Sequence, residues 1–114
     1  MSHAHMQVGS LLMDLQIELR SMDCWSHETP SAQALASETP FAVDTLTFEQ
    51  WLQFIFFPKM QYLVEHELPM PGACHIVPMA EEYFGSKPVK LGRLIKVLGQ
   101  LDDVLAGGPE QTLN

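Results

Sequence analysis

Two cysteine–histidine pairs are the first residues in this sequence whose types could do chemistry. Cys24-x-x-His27 and the adjoining Cys74-His75 make, on paper, a Cys₂His₂ set for zinc. Paired metal ligands are normally separated by two or more residues so that both can face one ion, which neighbours such as Cys74 and His75 do not achieve. The expectation is therefore no metal, with each thiol a small buried hydrophobe. Cys74 next to a histidine could also be read as a nucleophile, but the sequence supplies no orienting third group and no oxyanion hole. Glu65-His66-Glu67 and Glu81-Glu82 bring acids together, yet adjacent residues on a helix point about 100° apart and do not form a dyad. No glycine-rich phosphate loop, phosphate-binding lysine motif or nucleophile elbow is present. The chain reads as a non-enzyme with no cofactor.

The charge pattern is more informative. Lys87, Lys90, Arg93 and Lys96 are four of only six basic residues, and they recur every third position. Bases at the start of a helix, with Asp102 and Asp103 near its end, run against the helix macrodipole, so helix stability did not select this order. Two readings stay open: compensation by acids such as Glu81, Glu82 or Glu18, or a docking strip for an acidic protein or an RNA phosphate run.

The elements that must position these residues follow from length and pattern. A chain of 114 residues with net charge −8, 46% hydrophobic and 18% charged residues is one globular domain over 1–114. The acidic balance disfavours direct nucleic-acid binding and anionic membrane, and suits a basic protein partner. No run is long enough to span a membrane, and no secretory leader is visible, so cytoplasmic residence and reduced thiols are expected. Residues 1–6 read as a mobile tail and 107–114 as a frayed one.

Val8, Leu11, Leu12, Leu15, Leu19 and Met22 fall on one face of a helix from about Met6 to Asp23. Two Thr-Pro pairs then predict a long, partly ordered connection around a short helical turn at Ala32 to Ala36. Thr47 and Gln50 form a capping box for a second helix, which Pro58 breaks or kinks before a continuation over Lys59 to Glu67. Ile76 to Phe84 reads as a shorter helix closed by Gly85. Leu91, Leu94, Ile95, Leu98, Leu101 and Leu105 mark the last. The fold class is all-α, a four-helix bundle.

The segment from Phe48 to Phe57 holds five of the ten aromatic residues. On a regular wheel Phe48, Trp51, Leu52, Phe54, Ile55 and Phe56 cover one broad arc, wide enough for a central, core-forming helix. Phe57 alone falls among Gln50 and Gln53, either exposed as a contact site or turned inward by Pro58.

"PFAVDTLTFEQWLQFIFFPKM" (40 to 60) followed by "CHIVPMAEEYF" (74 to 84) resembles the small bacterial YqcC-like family, from the first helix to Leu105. The resemblance implies an up-and-down, bromodomain-like bundle and a gene setting beside a TruC-type tRNA pseudouridine synthase, with no catalytic residues to carry over. Its signature positions here are Pro40, Phe41, Asp44, Thr45, Phe48, Gln50, Trp51, Gln53 and Pro58, then Cys74, Ile76, Pro78, Met79, Glu81 and Glu82. Lys59 stands where arginine is frequent, keeping charge without the bidentate fork. The function expected is a protein-interaction module, accessory to a tRNA pseudouridine synthase, touching its partner through Gln53, Phe57, Lys59, Met70, Cys74, Met79, Glu81 and Glu82. The alternatives are an apolar-ligand binder lined by Trp51, Phe54 and Met79, and RNA contact through Lys87, Lys90, Arg93 and Lys96.

Overall fold

The apolar stripe of the first segment builds the helix on which the others pack. In a computed structural model, which describes residues 3–85 and 92–107, α1 spans His3–Ser21. Its Val8, Leu11, Leu12, Leu15 and Leu19 are all buried. The helix starts at His3, so residues 3–6 are its first turn where a tail was expected.

The connection to the next long helix is held by local side-chain bonds. Ser31 caps the short helix α2 (Ala32–Leu35). Ser37 donates to Asp44 at 2.6 Å, and the Thr45 hydroxyl donates to the Ala34 carbonyl at 2.8 Å. A 3₁₀ turn follows at Pro40–Ala42, where Phe41 sits at φ 57 with its ring 4.7 Å from that of Trp51. Such a φ is uncommon for a bulky residue and is held by the surrounding packing.

The capping box forms as expected: Gln50 N–H donates to the Thr47 hydroxyl at 3.2 Å, and Thr47 N–H to Gln50 Oε1 at 2.9 Å. The helix it opens is not broken at Pro58. α3 (Phe48–Trp51) runs into a π turn (Leu52–Phe56) and on into α4 (Phe57–Glu65). In the π turn Phe57 N–H donates to the Leu52 carbonyl, five residues back. Proline brings no amide and its ring crowds the carbonyl four residues earlier, so widening the turn just before Pro58 relieves a conflict that an α turn could not.

α5 spans Ile76–Phe84, with Pro78 in its first turn and Gly85 closing it at φ 59. α6 spans Gly92–Gly107. Residues 86–91 and 108–114 lie outside the described residues. α1 packs on both α4 and α6, and α5 on α6, in a body of 39 × 32 × 22 Å. α1 and α4 run antiparallel: Gly9 faces Val64, and the His5 ring nitrogen lies 2.6 Å from the Leu68 carbonyl. The core joins α1 to Phe48, Leu52, Phe56 and Met60, to Ile76, Ala80 and Phe84, and to Leu94, Leu98, Leu101 and Leu105. The expected helical bundle is what forms. No helix among the described residues is long and apolar enough to cross a membrane.

Candidate functional site

Gln53 and Phe57 both meet the connection that follows α1. Gln53 is only 7% exposed and is the one buried polar residue among the described residues. Ser26 N–H donates to its Oε1 at 2.8 Å and its Nε2 donates to the Ser26 carbonyl at 2.8 Å. The connection after α1 is thus bound to the long helix through one side chain. Phe57 packs edge-on against Trp25 at 5.8 Å, and Arg20 lies over the Trp25 ring at 5.1 Å. Both residues expected at a partner surface therefore serve the interior: Gln53 satisfies linker backbone, and Phe57 takes the inward alternative.

Lys59, Glu81 and Glu82 do face solvent. Met70, Cys74 and Met79 are half-buried, packed against the core. Burial raises the Cys74 thiol pKa, Asp102 raises it further, and Lys59 partly opposes both. Asp102 has a second role that sequence reasoning missed. Its two carboxylate oxygens accept from Ile76 N–H and Val77 N–H, each at 2.8 Å. His75 sits at the start of α5 in left-handed geometry and gives no side-chain cap, so an acid on α6 supplies it. The acid that opposes the dipole of its own helix favours that of α5.

Glu49 turns inward from α3, and its Oε1 is buried without a hydrogen bond. Burial raises the Cys24 pKa, with Glu49 and Asp23 adding to it; burial and then Glu49 raise that of Tyr83. Both thiols are free. Among the described residues no group of three or more His, Cys, Asp and Glu side chains could hold a metal ion. Trp51 and Phe54, expected to line a ligand pocket, are half-buried. Trp51 is stacked with Phe48 at 6.1 Å and Phe56 at 5.4 Å, as core packing.

Of the basic strip, Arg93 and Lys96 are exposed on α6 and pair with no acid among the described residues, while Lys87 and Lys90 lie outside them. A second exposed feature lies on α1. Met6, Met13 and Ile17 on α1 are 61%, 68% and 59% exposed. Their signal in the sequence is spacing: positions 6, 13 and 17 share a helix face distinct from that of the leucines.

A family model, DUF446, described as tRNA pseudouridine synthase C, matches residues 7–104. An uncharacterized protein of Haemophilus influenzae is 41% identical over 76 residues, covering 67% of this chain and 72% of that relative. A tRNA pseudouridine synthase C of Pectobacterium carotovorum is 38% identical over 65 residues, 57% of this chain and 17% of that protein. Uncharacterized protein YqcC of Escherichia coli is 28% identical over 102 residues, 90% of this chain and 94% of the relative. Its solution NMR structure superposes with a TM-score of 0.83 at 26% identity, covering 99% of this chain and 95% of that one.

Proposed function

The chain belongs to the YqcC-like family, DUF446, and from that premise we propose that it is a non-catalytic module that associates with a tRNA pseudouridine synthase. One observation carries the reading. A relative of nearly the whole chain makes up almost all of a short protein in Escherichia coli, and a stretch similar to 57% of the chain forms a minor part of a synthase in Pectobacterium carotovorum. The 65 residues matched there are 17% of that synthase, which puts its length at about 380, more than three times this chain's 114. A module joined to an enzyme in one bacterium and separate from it in another has the rest of that enzyme as its natural partner. Covalent joining replaces a concentration-dependent association with an intramolecular one.

The chemistry then resides in the larger remainder, and this chain contributes binding. Net charge −8 supports the pairing, because an enzyme whose substrate is a polyanion presents positive surface, and opposite charge speeds encounter and weakens with salt.

A second reading rests on Arg93 and Lys96, exposed and without an acidic partner among the described residues. On a docked module these two cations would reach tRNA phosphate and add affinity without sequence preference.

The test is size-exclusion chromatography of the purified chain with the purified synthase from the same organism, at about 50 µM each and low salt. Co-elution ahead of either protein alone is the expected result. Separate elution at that concentration rejects the association.

A further inference from the structure

α1 carries two apolar faces, and the fold uses one. Val8, Leu11, Leu12, Leu15 and Leu19 face the core. At about 100° per residue, Met6, Met13 and Ile17 fall within about 40° of one another and opposite that buried stripe. They are the three most exposed large hydrophobic residues among those described. Single exposed apolar residues are ordinary, but three aligned along one helix are a patch. Helix formation does not ask for them: at solvent positions Lys, Glu or Gln serve as well or better, and Ile is β-branched.

The surroundings set the chemistry of what would cover the patch. Gly9 lets α4 approach, its position facing Val64, and the adjoining turn of α4 exposes Gln61 and Glu65. Asp14 is exposed on α1 itself. The nearest cation, Arg20, is folded back over Trp25. The exposed acids beside this apolar ridge are thus Asp14 on α1 and Glu65 on the adjoining turn of α4, while the exposed Arg20 is held over the Trp25 ring.

Resting on the reading that the partner is a tRNA pseudouridine synthase, we propose that Met6, Met13 and Ile17 form the docking face, seating in an apolar, basic-rimmed groove of that enzyme. The i, i+7, i+11 arrangement is that of a helix laid into a groove. Methionine's flexible side chain adapts to such a surface. Charge complementarity selects this partner: the acidic flank of the ridge matches the positive surface that a tRNA-binding protein must carry. The surface around Lys59 has a base at its centre and lacks that match.

The experiment is calorimetric titration of the purified synthase with three forms of the full chain: wild type, Met13→Ser with Ile17→Ser, and Lys59→Glu. Equal thermal stability is confirmed first, and sedimentation reports the oligomeric state of each form. The expected outcome is binding by wild type, at least about tenfold weaker binding by the α1 double variant, and little change with Lys59→Glu. Equal binding by wild type and the double variant overturns the docking face but leaves the association standing. Loss with Lys59→Glu alone moves the contact to the helix turn and loop, and also overturns it. A wild-type dimer that the double variant dissolves makes the face a contact between copies. No binding by wild type rejects the association, and the docking face with it.

Discussion

The side-chain amide of Gln53 closes a two-bond ring with the backbone of Ser26, donating to its carbonyl and accepting from its amide, both at 2.8 Å. The two residues are 27 positions apart, so the pair fastens the long connection after α1 to the long helix. Gln53→Ala removes both bonds and leaves two part-buried backbone groups without partners. The expected cost is about 1–3 kcal/mol, read as a lower urea midpoint. Limited proteolysis should cut residues 22–45 sooner. An unchanged midpoint would mean that the connection is held by its other contacts alone.

This pair also marks where the sequence stopped being legible. Helix identities, the Thr47–Gln50 box and the Phe48–Phe56 core could be read because each depends on local spacing or capping chemistry. The burial of Gln53 and Phe57 was not legible because the residues that cover them, Ser26 and Trp25, belong to a connection about 30 positions away that local spacing does not place. A π turn holds one residue more than an α turn, so everything beyond it rotates by about 100° relative to the regular wheel. Pro58 signalled a disturbance without saying that the helix would widen instead of ending. Asp102 was equally opaque, because its purpose is fixed by α5, 25 residues away in sequence.

Asp102→Ala should uncap α5. The Ile76 and Val77 amides lose their acceptors, and removal of such a cap costs about 1–2 kcal/mol. Asp102→Asn keeps one acceptor oxygen and should cost less. Hydrogen exchange at these two amides is the direct readout: faster exchange in the alanine variant than in the asparagine variant is expected, and equal rates in both variants and wild type would refute the capping role.

Alkaline pH should weaken the fold through its thiols and a phenol. Burial raises the pKa of Cys24, Cys74 and Tyr83 in the folded chain. Because the unfolded chain loses these protons at lower pH, their contribution is fully present below the ordinary thiol pKa of about 8.5 and is lost as pH rises through the folded values. Urea midpoints should hold near neutral pH and decline above about pH 8.5. Replacing both cysteines by serine should flatten the first part of that decline. A wild-type midpoint constant across this range would show that the thiols ionise as freely folded as unfolded.

Lys59 offers a separate check on the loop beside α5. It opposes the rise in the Cys74 pKa, so Lys59→Gln should leave less thiolate at any given pH. Alkylation of Cys74 near pH 8.5 should then slow in a Cys24→Ser background. An unchanged rate would place Lys59 away from that thiol.

The last prediction separates the role of α6 from that of α1. Arg93 and Lys96 are exposed and pair with no acid among the described residues, so Arg93→Gln with Lys96→Gln should change stability by no more than about 0.5 kcal/mol. The affinity of the chain for the synthase should persist, because the proposed docking face lies on α1. If the two cations meet tRNA phosphate in the complex, the complex should bind tRNA more weakly. Its dependence on salt should also flatten, by about one unit of log–log slope for each phosphate contact removed. Both readouts are needed, because weaker tRNA binding alone could come from a loosened complex, whereas a reduced slope counts lost phosphate contacts. An unchanged slope would leave Arg93 and Lys96 as solvated counter-charges on an acidic protein and restrict the module to contact with the enzyme.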